Sequence, residues 1–223
     1  MGMSKYALKP DPSPKPSAIS MVHAIIEGLE VGEYIPGQRL VEAELCARFG
    51  VGRQAVRDAL QQLQVRGVVS ITPNRGAALV TLTPQQGVDT LKVTELLFGL
   101  AAESAACEIA KGASSDRLAF ATAELERLQN SMPPRDFVTA RRQFYSALAA
   151  TANNDELSHL LARVRVHVLR AQYGFLRLRG QHASELIAVG KKILEGDPAG
   201  AGKLSREHVR KLQETLKEYE RGA

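Results

Sequence analysis

Hydrophobic positions along the chain recur first at helical spacing, then alternate briefly, then return to helical spacing for the remainder. Ile19, Val22, Ile25, Ile26 and Leu29 make one inward stripe, which predicts a first helix over Ser17–Leu29. A short helix with an acidic start is predicted over Glu42–Phe49, then a tight Gly50-Val51-Gly52 turn and an amphipathic helix over Arg53–Arg66. At about 100° per residue, Val56, Ala59, Leu60 and Leu63 fall on one face of this last helix and Gln54, Arg57, Asp58 and Gln61 on the other. A β-hairpin closed by Pro73-Asn74-Arg75-Gly76 follows, with its second strand at Ala77–Leu82.

After that strand the period changes from two to 3.6 and does not change back. Thr83-Pro84 supplies a helix cap and a first-position proline. Six helices are predicted beyond it: Gln85–Gly112, Ser115–Ser131, Asp136–Thr151, Asp155–Leu178, Ala183–Glu195 and Pro198–Tyr219. The fold class is therefore mainly α: an N-terminal winged helix-turn-helix followed by a C-terminal all-α antiparallel helical bundle. The predicted organisation is a flexible tail over 1–16, a winged helix-turn-helix DNA-binding domain over 17–82, and an all-helical domain over 83–223.

The polar face of the Arg53–Arg66 helix has the chemistry of a DNA reader. Arg and Gln match the paired donor and acceptor groups of guanine and adenine edges, and here they sit in the first two helical turns, the part that reaches bases. Arg53, Gln54 and Arg57 are the predicted major-groove and phosphate contacts, with Asn74, Arg75 and Gly76 at the wing tip. A solvated helix face would carry similar residues; the flanking turn and wing decide for DNA. The run from Gly37 to Gly76 resembles the GntR family of bacterial transcription regulators. The resemblance is carried by Pro36, Gly37, Leu40, Glu44, Leu45, Gly50, Val51, Arg53, Val56, Arg57, Ala59, Leu60, Leu63, Gly67, Asn74, Arg75 and Gly76. Gly52 stands where the family places a Ser or Thr cap, and Ala55 where Pro is common.

A formal net charge of +5 is too mild to reveal a nucleic-acid binder by itself, so placement carries that argument. Cys46 and Cys107 have neither metal nor redox spacing and read as buried, reduced thiols. The start of the chain lacks the apolar stretch of a signal peptide, and no run approaches a membrane span, so a cytoplasmic location is expected. No nucleophile–base pair or Gly-rich phosphate loop points to an enzyme.

The helical half resembles the FCD-type effector domain, through Gly99-Leu100-Ala101-Ala102, Phe144, Asn154-Asp155-Glu156-Leu157, Gly196-Asp197 and His208. The resemblance implies that residues 83–223 are an effector-binding and dimerisation domain, forming a homodimer that binds a small acidic metabolite, often through a metal held by one Asp and three His. Here the metal-binding positions read Arg141, Tyr145, Leu186 and His208, so of the four ligands only His208 remains and no metal cofactor is expected. The family's Arg and Glu in the first bundle helix are replaced by Thr94 and Phe98.

Arg141 shares an i, i+4, i+7 stripe with Tyr145 and Leu148, which puts a permanent cation on an apolar face. Two readings stand. In one, Arg141 grips an effector carboxylate directly, with Tyr145 and His208 as donors and Arg165 and Arg179 as further candidates. In the other, Arg141 snorkels to the surface and Tyr145 is core. Arg163, Arg170 and Arg177 are predicted to be solvated. The function expected is a homodimeric repressor that binds a pseudo-palindromic double-stranded operator and responds to a small organic acid. The alternative is a constitutive DNA-binding regulator whose helical domain only dimerises.

Overall fold

A computed structural model describes residues 17–128, 131 and 133–222; the tail expected over 1–16 lies outside them. Helix α1 (Ala18–Val31) opens the head, capped by the Ser17 hydroxyl, which accepts from the Ser20 amide at 3.2 Å, and closed by left-handed Gly32. Strand β1 (Arg39–Leu40), α2 (Glu42–Phe49), α3 (Arg53–Val65), β2 (Val69–Thr72) and β3 (Gly76–Leu79) complete it. The strands form one antiparallel sheet in the order β1-β3-β2. The β2–β3 turn takes Asn74 to φ 63° and Gly76 to φ 78°, left-handed conformations that suit these two residue types.

The expected apolar face of α3 is buried: Val56, Ala59, Leu60 and Leu63 pack into the head core with Val22, Ile25 and Leu29 of α1. Two details differ from the sequence reading. Ile19, expected inward, is 58% exposed, and Met21 takes a place in the core instead. Strand β1 was not foreseen, because two residues are too short to show alternation.

The bundle comprises α4 (Pro84–Ala110), α5 (Asp116–Leu128), α6 (Pro134–Thr151), α7 (Asp155–Arg163), α8 (Val166–Gln172), a 3₁₀ turn (Phe175–Leu178), α9 (Arg179–Leu194) and α10 (Pro198–Gly222). Thr83 and Gln86 form a capping box at the start of α4, with mutual bonds of 3.2 and 3.0 Å. Helices α4 and α10 approach closely through small residues; a side chain at Gly99 would come within 2.7 Å of the Arg206 guanidinium. Phe98, Phe137 and Phe144 fill the interior with Leu118, Leu125 and Leu186. Cys46 of the head and Cys107 of α4, both expected to be buried, are half-buried.

The single helix expected over Asp155–Leu178 is instead α7, α8 and the 3₁₀ turn. Val164 is extended (φ −72°, ψ 124°) and Gly174 is left-handed, so the chain turns twice. The first turn lays α8 against α1 of the head.

Candidate functional site

The outer face of the head carries Arg53, Gln54, Arg57, Asn74, Arg75 and Gly76, all exposed. Arg57 pairs with Glu42 of α2 at 3.2 Å, and the Gln54 side-chain amide donates to Asp58 at 2.8 Å. Both are surface contacts that a base or phosphate can replace at small cost. A crevice of about 430 Å³ separates α3 from the wing, with Arg39, Arg57 and Arg75 among its walls. Arg39, which the sequence reading missed, donates to the Arg75 carbonyl at 2.6 Å and braces the wing turn. Gly52 gives no side-chain cap to α3, so first-turn amides face outward where a phosphate can take them.

A second feature lies between head and bundle. There α1 meets α6 and α8, and a cavity of about 320 Å³ opens at the junction. Arg141, Arg142 and Tyr145 reach it from α6, His167 and Arg170 from α8, His23, Glu27 and Glu30 from α1, and Arg66 from the end of α3. Its remaining wall is mostly apolar, with Ile26, Phe98, Val138, Leu148, Leu161 and Val166, and it also carries the hydroxyls of Thr94, Ser146 and Ser158. Four arginines face two glutamates, so the cavity has an excess of positive charge.

Arg141 is 4% exposed, and its guanidinium forms an ion pair with Glu30, which also meets His167 Nδ1 at 2.5 Å. The guanidinium lies 5.0 Å from the Phe137 ring centroid. Burial, and then repulsion from Arg170, lower the Arg141 pKa well below its ordinary value; starting so high, the group still remains charged beside Glu30. One-third (33%) of the His167 side chain is accessible, and that surface lines the cavity. Burial together with Arg170, Arg141 and Arg66 holds His167 well below the ordinary imidazole range, so it is neutral and donates Nδ1–H to the Glu30 carboxylate.

Arg170, expected in solvent, is instead 5% exposed. Its Nη2 donates to the Tyr145 hydroxyl at 3.0 Å, while its Nε is buried with no hydrogen-bond partner. The extended residue at Val164 rotates α8 out of the register assumed for one straight helix, and this turns Arg170 inward.

The other predicted residues lie elsewhere. His208 does not line the cavity but sits one aromatic layer deeper, its ring 5.9 Å from Phe98 and 5.5 Å from His182. Its Nδ1 donates to Glu185 at 2.7 Å. Burial opposes ionisation of Glu185, yet hydrogen bonds from His208, Lys211 and Gln181 hold its carboxyl down at about 2. Burial lowers His208 as well, and His182 is pushed down to about 3 by burial and by His208. Arg165 is likewise absent from the cavity wall; its alkyl stem lies against Gly67 in the turn after α3, within 2.8 Å of where a side chain there would begin. The structure thus brings Arg141 and Tyr145 together at the cavity and places His208, Arg165 and Arg179 outside it.

The residues at the four metal positions do not fit a divalent cation. Arg141 is itself a cation, Leu186 is fully buried and offers no donor, and His208 already bonds Glu185. Among the described residues, no three His, Cys, Asp or Glu side chains converge on one point. No helix among them is long and apolar enough to cross a membrane.

Residues 20–79 match the family described as bacterial regulatory proteins, gntR family, and residues 89–211 match the FCD domain. YdhC of Bacillus subtilis, an HTH-type transcriptional regulator, is 24% identical over 203 residues, spanning 88% of this chain and 87% of its own. GlaR of Escherichia coli, an HTH-type transcriptional repressor, is 27% identical over 193 residues, spanning 80% and 86%. The solved structure of E. coli McbR/YncC has the same fold, with a TM-score of 0.73 at 17% identity over 90% of this chain and 97% of that one.

Proposed function

The chain belongs to the gntR family of bacterial regulatory proteins and carries an FCD domain, and from that premise we propose a homodimeric, cytoplasmic repressor whose operator affinity responds to a small organic acid. The acid occupies the cavity between head and bundle, held by Arg141 and Arg170 without a metal. The observation that carries this reading is an arginine-rich cavity in contact with α1 and with the end of α3. A ligand there touches the recognition helix and the bundle at once, so its binding energy can differ between two head positions.

The DNA-binding half of the reading rests on the exposed Arg53, Gln54, Arg57 and wing residues. Dimerisation is supported by α4, where Val93, Leu96 and Leu100 are 50%, 67% and 45% exposed at i, i+3 and i+7. A solvated helix seldom keeps such an apolar stripe, whereas a second copy of the chain would cover it. Two-fold symmetry in the protein would be mirrored by a pseudo-palindromic operator. Repression follows the relative GlaR, whose name describes a repressor.

The alternative, a bundle that only dimerises, draws support from Glu30, which already neutralises Arg141. An operator selected from randomised DNA, titrated with the protein in the presence of organic acids, separates the two. Altered operator affinity with an acid, lost in Arg170→Met, supports the sensor. Unaltered affinity across acids supports the constitutive regulator.

A further inference from the structure

The most buried arginine of the cavity is already engaged by a carboxylate, and that carboxylate belongs to the head. Glu30 lies in the last turn of α1, its side chain 2% exposed, and it reaches across the junction to Arg141 and His167. We infer that Glu30 is a tethered stand-in for the effector: an acid with an apolar body displaces it from Arg141, and the displaced Glu30 unlatches the head. This inference rests on the ligand reading above and adds the ligand's class and its mode of action.

Three features lead to it. First, the seat is built for one carboxylate. His167 is neutral and Arg141 is flanked by Phe137, so a second anion beside Glu30 would share one guanidinium with it. Addition there would set two carboxylates side by side on one guanidinium; exchange does not. Second, the wall beside the seat is mostly apolar. Ile26, Phe98, Val138 and Leu161 would cover a hydrocarbon or aromatic body, and of the hydroxyls in the lining those of Thr94 and Ser158 already donate to the Thr90 and Asn154 carbonyls. The spare Arg170 Nε–H and the Tyr145 hydroxyl lie at the same cavity to meet the incoming carboxylate.

Third, displacement of Glu30 cuts the buried contact that ties α1 to α6. An ionised carboxylate deprived of its partner is unfavourable in a buried site, so α1 is driven to reposition it. Glu30 shares its helix with Ile25 and Leu29, which pack with Val56 and Leu63 of α3 in the head core, so the recognition helix travels with it. The outer contacts are of another kind. Arg135 pairs with Glu27 at 2.5 Å and with Glu33, and the Gln172 side chain bonds both backbone groups of Leu82 at 2.9 and 2.7 Å. They do not involve the seat, and they keep the head near the bundle as a pivot while the latch opens.

The test compares wild type, Glu30→Gln and the double variant Glu30→Leu/Arg141→Met by calorimetric titration with benzoate, hexanoate and uncharged benzyl alcohol. Hydrogen exchange of α1 amides reports the latch. Removing the internal competitor should tighten benzoate or hexanoate binding at least tenfold in Glu30→Gln and leave benzyl alcohol unchanged. In wild type, saturating acid should speed exchange in α1; in the double variant, which replaces the pair by apolar groups, no acid should bind and α1 should not respond. Acid binding that is equal or weaker in Glu30→Gln, or that leaves α1 exchange unchanged in wild type, overturns the latch while the ligand reading stands. Absence of acid binding in both wild type and Glu30→Gln removes the ligand reading and the latch with it.

Discussion

Glu30 of the head and Arg141 of the bundle form an ion pair in which the two side chains are only 2% and 5% exposed. They come from helices more than a hundred residues apart, and they join the DNA-reading domain to the domain expected to sense a ligand. The pair therefore links stability and domain docking at one point.

Removing one partner leaves the other charged and buried. Arg141→Ala should lower the unfolding free energy by about 3–5 kcal/mol, measured by urea denaturation. The double variant Glu30→Leu/Arg141→Met should recover most of that loss, because apolar side chains of similar size satisfy a buried site without a desolvation cost. A double variant as unstable as the single one would show that the pair itself, not the orphaned charge, sets the cost.

Arg57→Ala should weaken binding to the selected operator by about 1–3 kcal/mol if Arg57 reads a base. Its pairing with Glu42 is exposed on both sides, so thermal stability should change little. An operator titration that gives wild-type affinity would take Arg57 out of the interface.

Leu96→Glu should shift the protein from dimer to monomer in sedimentation equilibrium. Leu96 is 67% exposed at the centre of the α4 stripe, so a carboxylate costs nothing in the monomer but faces its symmetry mate in a dimer. A dimer of unchanged strength would move the interface to another face.

Acidification should destabilise the bundle in a defined window. His182 titrates at about 3 when folded, against an ordinary value of 6.5, so the unfolded chain binds the extra proton between those values. The contribution is fully present above pH 6.5 and is lost as pH falls, by about 1.4 kcal/mol per pH unit for one such group. Glu185, held at about 2 against 4.5, adds a loss in the same direction below pH 4.5. Melting temperatures recorded from pH 7 to 4 should fall with a slope that His182→Phe reduces. An unchanged slope would mean that His182 takes up its proton in the folded state at an ordinary pH.

The helices of the head, the Asn74-Arg75-Gly76 turn and the apolar face of α3 were all legible in the sequence. Each depends on periodicity or on the left-handed preference of Asn and Gly, both local properties. The i, i+4, i+7 stripe likewise placed Arg141 and Tyr145 on the inner face of α6. Arg170 and Arg165 lie elsewhere than expected for a single reason: a straight helix through residues 155–178 fixes one angular frame, and the extended Val164 starts another. Arg170 then turns toward the Tyr145 hydroxyl, and Arg165 toward Gly67 of the head.

Glu30, His167 and Arg66 carried no sequence signal. Glu30 looks like any polar residue near a helix end, and only the docking of α1 on α6 and α8 supplies its partners. Local backbone preference is written in neighbouring residues, so the sequence by itself determined most of the elements, the amphipathic face of α3 and which residues stand at the family's metal positions. A charge becomes buried only where a distant segment brings a counter-charge and excludes water, so the tertiary structure alone decided the cavity and the residues that guard it.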